Sequence, residues 1–378
     1  MHNFEEAYYF TQKKLFTPGP LSTSFQTKLA SIESVYCYSD EFKESLKSIK
    51  KKLFGISKAN EEKYEIVFMD GSGTFGLESV IVSLIPLGKK ILVLQNGSYG
   101  RRIKDIAQCR NIEVVELNFY EYQTPTSDLV RDALEKDSDI AMVSLVHCET
   151  SSGILNPLNE IGKIAKEFNK IFFVNAITTF GGVPIDFEQT EIDILVTAPN
   201  KCLESIPGFS IIFVKKDLLE TTERNAKSYS LDLVAQWEEQ KVNGTFRFTP
   251  NVNAVLAFDH ALDELMYEGG IEARAKRYLT NCNTLIEGMR RMHFGEYLFP
   301  TVRSYIITTF FYPENKNFHP DIFYSLLRDK NQIIYPGKLK EWSGFRISCI
   351  GRIFPQDIRI LLSAIKETLK EMNVESEE

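Results

Sequence analysis

Chemistry is easiest to assemble in this chain around Lys201. It follows an apolar, β-rich run at 192–198 that Pro199 and Asn200 bring to a stop, so the pattern predicts a lysine fixed at the rim of a buried strand. A second apolar strand, 209–214, begins after Pro207-Gly208. An amine held against apolar surface loses part of the stabilisation of its charged form and can attack a carbonyl carbon, forming a Schiff base. Without such surroundings a lysine is a solvated surface charge. The loops sharing its rim decide between the two.

Four further stretches carry polar groups where an apolar strand gives way to a loop. Residues 70–75 read DGSGTF; their glycines admit close backbone approach, and the Ser72 and Thr74 hydroxyls with the first amides of a helix suit a phosphate. A tight turn capped by Ser72 or Thr74 is the plainer reading. There is no Walker lysine and no complete GxGxxG, so ordinary nucleotide motifs are not met. Residues 96–101 read NGSYGR, where Tyr99 can stack on a flat ring or pack on the sheet rim. Residues 147–153 read HCETSSG, a cluster of hydroxyls and amides that can hold a ring oxygen or a phosphate, or form a polar turn. His147 and Cys148, being adjacent on a strand, point to opposite faces and make no catalytic pair. The last stretch, NAITTFGG at 175–182, opens on Asn175 directly after the apolar IFFV.

These loops need elements to position them, and the sequence supplies a regular alternation. Strands are expected at 64–69, 90–94, 112–117, 140–146, 171–174, 192–198 and 209–214, with helices at 74–85, 101–110, 127–136 and 158–168. Strands apolar nearly throughout, alternating with helices, imply an α/β domain with a mainly parallel seven-stranded sheet covered on both faces. Ligands of such sheets sit beyond the carboxyl ends of the strands. After a long helix at 251–267 and a break at Gly269-Gly270, the pattern changes to a smaller α+β unit: a helix at 273–292, a strand at 305–311, a short helix at 320–327, a strand at 345–350 and a charged helix at 355–372. We therefore divide the chain into 1–265, an N-terminal segment with the large domain, and 266–378, a small C-terminal domain whose last residues are expected to fray. The TPGPL segment near residue 18, with two prolines around a glycine, is irregular and extended.

With 378 residues and 43% hydrophobic content the chain can bury substantial cores. A net charge of −7 argues against a nucleic-acid or anionic-membrane surface, while leaving room for a local anion pocket. Cys37, Cys109, Cys148, Cys202, Cys282 and Cys349 show no CxxC pairing and no metal spacing, as expected of reduced thiols with no bound metal. The N-terminal MHNFEEAYYF carries acidic residues and no apolar core, and no run approaches membrane-spanning length, so a cytoplasmic protein is expected.

Taken in order, GSGTF, NGSYGRR, HCETSSGILNP, IFFVNAITTFGGVPIDF and APNKCLESIPGF resemble the class V aminotransferases of pyridoxal-phosphate (PLP) fold type I, over nearly the whole chain. The style of TPGPL, HCET, NKC, IPGF and YPGKL is similar to the branch of that family acting on 2-aminoethylphosphonate and pyruvate. The resemblance implies PLP as cofactor and Lys201 as its Schiff-base lysine and proton shuttle, with Asn200 beside it. It implies a phosphate cup at Ser72, Gly73 and Thr74, Tyr99 stacked on the pyridine, Thr150 or Ser151 on the phenolic oxygen, and Ile177 on the opposite ring face. Thr249, in TFRFTP, would reach the phosphate of a neighbouring subunit, implying a homodimer. Arg346, in GFRISCIG, would hold the substrate carboxylate in a bidentate pair.

One position departs from the family pattern: Asn175 stands where the family carries an aspartate paired with the pyridine nitrogen. A neutral amide favours protonation of that nitrogen much less than a carboxylate does, and so weakens the ring as an electron sink. The implied activity is amino transfer between a small amine or amino acid, 2-aminoethylphosphonate-like, and an α-keto acid such as pyruvate. An alanine– or serine–glyoxylate aminotransferase, a PLP lyase or decarboxylase, and a weakly active or silent homologue remain as alternatives.

Overall fold

The computed structural model describes residues 13–222, 226–337 and 343–374. The acidic N-terminal stretch, the last four residues of the tail expected to fray, and the Lys338-Leu339 end of YPGKL lie outside the described residues.

Seven strands form the central sheet: β1 (Tyr64–Asp70), β2 (Lys90–Gln95), β3 (Glu113–Asn118), β4 (Ile140–Val146), β5 (Ile171–Asn175), β6 (Ile194–Thr197) and β7 (Phe209–Lys215). Their spatial order is β1-β7-β6-β5-β4-β2-β3. β7 runs antiparallel to both β1 and β6, and the other pairs are parallel. The strand expected at 192–198 is shorter at both ends, and just before its start the Asp193 side chain takes the Phe172 amide at 2.7 Å. Along β1 and β4 through β7 the side chains are buried almost without break, which is why these strands read as continuous apolar runs rather than alternating ones.

The reversal of β7 matters to the site. β6 is parallel to β5, so the connection that leaves it, which carries Lys201, starts at the same rim as the carboxyl ends of β2, β4 and β5; because β7 is antiparallel to both its neighbours, the carboxyl end of β1 lies at that rim too. A 2.9 Å bond from the Gly71 amide to the Gly208 carbonyl ties the end of that connection to the loop after β1.

Two helices start at this rim: α1 (Gly73–Leu84), after β1, and α2 (Ser98–Cys109), after β2. α2 begins three residues earlier than the apolar periodicity predicts. Its first amides are satisfied from a distance, by the buried Glu149 carboxylate, so no local cap marks its start.

The C-terminal unit holds an antiparallel sheet of β8 (Ile307–Phe311), β9 (Tyr335–Pro336) and β10 (Gly344–Ser348), with β10 central. Helices Pro320–Asp329, Pro355–Glu371 and α3 (Gly270–Arg291) contribute to its apolar core. The chain's beginning joins it: Lys14–Leu15 pairs in parallel with Gln332–Ile333, and Phe16 is buried with Phe310, Phe323 and Phe345. The residues after Phe16 then lead back across the sheet rim.

Candidate active site

At the carboxyl rim a cavity of about 180 Å³ opens between α1, α2 and the Lys201 loop. That is room for one aromatic ring, since roughly 150 Å³ accommodates benzene. One end is built from Ser72, Gly73 and Thr74, at the start of α1. Ser72 occupies the N-cap position, yet its side chain makes no capping bond, and the first amides of a helix have no intrahelical partner. This end therefore offers hydroxyl and amide donors at the positive end of a helix dipole, suited to an anion. Gly73 is required by space: a Cβ there would come within 2.7 Å of the Ile177 side chain, which forms an adjoining wall.

Lys201 lies at the other end. Burial above all, with the nearby positive charge of Arg102, lowers the pKa of its ammonium to about 8, and Nζ donates to the Pro18 carbonyl at 2.7 Å. Gly19, at φ +140°, passes so close that a Cβ would stand 2.2 Å from Nζ. The irregular TPGP segment is thus the neighbour that confines the lysine.

The loop carrying Lys201 is braced from behind by buried ion pairs. The Lys201 carbonyl accepts from the Glu204 amide at 2.8 Å, and the Cys202 carbonyl from Arg274 Nη1 at 3.0 Å. The buried Glu204 carboxylate accepts from Arg277 at 2.8 Å and from the Tyr278 hydroxyl at 2.5 Å, while Glu268 pairs with both arginines. Arg274, Arg277 and Tyr278 share one face of α3 at spacings of three and four residues, a pattern legible in the sequence but without a visible partner there.

Asn175, at the end of β5, and Ile177, Thr178 and Asn200 complete the inner lining. Asn175 is nearly buried, and its Oδ1 accepts from the Ile177 amide at 3.2 Å. Tyr99 forms the facing wall from the first turn of α2. Its backbone is held by Glu149, whose carboxylate accepts from the Tyr99 amide at 3.0 Å, the Gly100 amide at 3.1 Å and the Ser151 hydroxyl at 2.8 Å. Burial raises the pKa of this carboxyl against those hydrogen bonds. His147, also buried, has its pKa lowered to about 3 and bonds Thr179 at 2.9 Å as a neutral ring; it is structural. Burial likewise raises the Cys148 thiol to about 12, so it is no nucleophile.

The structure thus gathers Ser72, Gly73, Thr74, Tyr99, Asn175, Ile177, Asn200 and Lys201 around one cavity. Thr150 and Ser151 are buried just outside its lining: the Ser151 hydroxyl is committed to Glu149, and the Thr150 carbonyl accepts from Arg346 Nη1 at 2.5 Å. Arg346, on β10, also donates twice to the Pro336 carbonyl, at 3.1 and 2.9 Å, and lies 4.7 Å from the Tyr335 ring centroid. Burial lowers its pKa, and among the described residues it has no carboxylate within ion-pair distance. Thr249 is exposed and does not line the cavity. Among the described residues no group of His, Cys, Asp or Glu is placed to hold a metal ion. Sequence reasoning passed over Arg102, Glu149 and Glu204. The first had a signal, its spacing of three from Tyr99; the two carboxylates act through contacts distant in sequence.

Comparisons with known proteins concur with this architecture. The family model described as aminotransferase class-V matches residues 22–337. The 2-aminoethylphosphonate–pyruvate transaminase of Lysinibacillus sphaericus is 38% identical, over 96% of this chain and 99% of its own. That of Bacteroides fragilis is 40% identical, over 94% and 98%. The bifunctional phosphonoacetaldehyde hydrolase/aminoethylphosphonate transaminase of Clostridioides difficile is 40% identical over 93% of this chain, which spans 56% of that longer protein. Among solved structures, alanine–glyoxylate aminotransferase from Nostoc sp. superposes with a TM-score of 0.88 at 22% identity, covering 95% of each chain. Ureidoglycine–glyoxylate aminotransferase from Bacillus subtilis does so with 0.87 at 20% identity, covering 97% of this chain and 95% of its own. At those identities the likeness concerns the fold.

Proposed function

We propose that this chain, which belongs to the class V aminotransferases and works with pyridoxal 5'-phosphate, transfers the amino group of 2-aminoethylphosphonate to pyruvate. The observation that carries the chemistry is Lys201: a buried amine with a pKa near 8, at the end of a ring-sized cavity whose other end is a helix N-terminus. The donor set fits the cofactor, with helix-start amides and the Ser72 and Thr74 hydroxyls for a phosphate, apolar and aromatic walls for a ring, and an amine for an aldehyde.

When bound, the cofactor supplies an aldehyde to take up amino groups and a ring to spread the charge left on the donor carbon. The chain's residues do the rest. Ser72, Gly73 and Thr74 hold the phosphate, Tyr99 and Ile177 confine the ring, and Asn200 flanks the lysine. Lys201 would hold the cofactor aldehyde between turnovers, and its amine, once free, would carry the proton of the donor carbon. Its lowered pKa lets one group both take and return that proton near neutral pH. Asn175 would meet the ring nitrogen with a neutral amide. Arg346, with its outer face shielded by Tyr335 and its fork held by backbone carbonyls, is preset for the anionic end of each substrate in turn, as a ping-pong route needs. Thr150 or Ser151 would bond the ring's phenolic oxygen.

The proposal includes a homodimer. Phe75 and Phe248 are exposed, Arg247 stacks on both Tyr229 and Phe248, and Thr249 follows them, a partly apolar surface that a second copy would cover while bringing its Thr249 to the phosphate. No helix among the described residues is long and apolar enough to cross a membrane, in keeping with a cytoplasmic enzyme. The division into a large domain, 1–265, and a small one, 266–378, is part of the same reading.

The test is to mix the PLP-loaded protein with 2-aminoethylphosphonate and pyruvate and follow alanine. Alanine formed faster with this donor than with serine, and faster than glycine forms when glyoxylate replaces pyruvate, supports the assignment. Cleavage of the carbon–phosphorus bond of this donor, or loss of carbon dioxide from an amino-acid donor, without alanine, would make it a lyase or decarboxylase.

A further inference from the structure

Arg102 has no part in the reading so far, yet it lines the same cavity. It extends from the first turns of α2, where its Nη1 donates to Thr74 Oγ1 at 3.2 Å and its guanidinium carbon lies 4.9 Å from the Tyr99 ring centroid. It therefore bridges the starts of two helices, α1 and α2, at the anion end of the cavity. Accepting this bond leaves the Thr74 hydroxyl its own proton to donate. Among the described residues no carboxylate neutralises Arg102, although the chain as a whole is acidic.

Charge arithmetic asks for such a group. A phosphate monoester carries about −1.5 to −2 charges near neutral pH. A helix N-terminus offers the equivalent of roughly +0.5, and hydroxyls add none. The Lys201 amine cannot make up the difference, because the proposed chemistry commits it to the cofactor aldehyde. Of the residues lining the cavity, Arg102 is the other cation.

We propose that Arg102 is a further cofactor-binding residue, whose guanidinium pairs with the phosphate of pyridoxal 5'-phosphate alongside Ser72, Gly73 and Thr74. The planar fork suits two phosphate oxygens, and the Tyr99 ring holds it in place from one face, so a single side chain links the phosphate to the wall of the ring. This rests on the reading of the cavity as a PLP site.

The experiment is a titration of full-length protein freed of cofactor, with pyridoxal 5'-phosphate and, in parallel, with pyridoxal, which lacks the phosphate. Borohydride trapping of pyridoxal phosphate on Lys201 in the unaltered protein comes first, and its failure would refute the PLP reading itself. Given trapping, Arg102→Gln should weaken pyridoxal-phosphate binding roughly tenfold to a hundredfold, as expected for one charge-assisted contact, and leave pyridoxal binding nearly unchanged. Arg102→Lys, which keeps the charge without the fork, should fall between. Equal losses for both aldehydes would mean that Arg102 only shapes the Tyr99 wall, and would overturn the proposal. Unchanged pyridoxal-phosphate affinity would overturn it too, including the case where the KM for a phosphonate substrate rises instead.

Discussion

The Asn175 side chain accepts a hydrogen bond through Oδ1 from the backbone amide of Ile177, two residues on, at 3.2 Å. An amide N–H can only be met by an acceptor, so this bond assigns the carboxamide orientation: the oxygen is committed and the NH2 is what remains to face the cavity. On the proposed reading, Asn175 would offer the ring nitrogen a donor, and a donor favours the unprotonated nitrogen. Replacing Asn175 by aspartate keeps the oxygen that binds Ile177 and sets a second, anionic oxygen in place of the NH2. We expect Asn175→Asp to raise the single-turnover rate of proton removal from the donor amine, roughly tenfold or more for the barrier difference involved, with little change in cofactor affinity. A rate at or below that of the native chain would show that the amide does not limit this step.

Lys201 should govern cofactor capture by its own titration. Burial lowers its pKa from the ordinary lysine value to about 8, so the neutral, attacking form dominates above that pH and is progressively lost below it. The rate of pyridoxal-phosphate uptake by cofactor-free protein should climb with pH and level off above about 8. A rate still rising steeply toward the ordinary lysine range would mean that the amine is not desolvated in solution. Lys201→Ala should retain the fold but yield no borohydride-trapped cofactor.

Gly19 supplies a packing test that leaves every polar group in place. A methyl group there would lie 2.2 Å from Lys201 Nζ, on a backbone at φ +140° that side chains disfavour. Gly19→Ala is expected to cost about 1–3 kcal/mol in urea unfolding and to slow cofactor capture. Capture at the native rate would show that the TPGP segment moves aside and does not confine the lysine.

For Arg346 the informative change is to lysine. Three backbone-directed bonds set its fork, and burial makes a lost contact costly. Arg346→Lys should raise the KM for pyruvate by the equivalent of roughly 1.5–3 kcal/mol while pyridoxal-phosphate affinity stays close to native. Steady-state kinetics beside a cofactor titration separates the two; an unchanged KM would remove Arg346 from the substrate site.

What the sequence alone determined here is local and periodic. Unbroken apolar runs such as 140–146 and 209–214 announced strands buried on both faces, and the alternation with helices announced a largely parallel sheet, because those patterns reflect each segment's own burial. The motifs at Ser72–Thr74, Tyr99, Asn175 and Lys201 were legible for the same reason: each sits where one such run stops. Their convergence depended on tertiary structure: the parallel pairing of β6 with β5 sets the Lys201 loop at the common rim, and the antiparallel β7 between β6 and β1 brings the carboxyl end of β1, with Ser72–Thr74, to the same side. Tertiary structure also decided the supports. Glu149 caps a helix fifty residues earlier in the chain, Glu204 meets arginines some seventy residues later, and Pro18 and Gly19 cross the whole domain to reach Lys201. A buried charge or a confined amine is defined by the partners that exclude water from it, and those partners are adjacent only once the chain has folded.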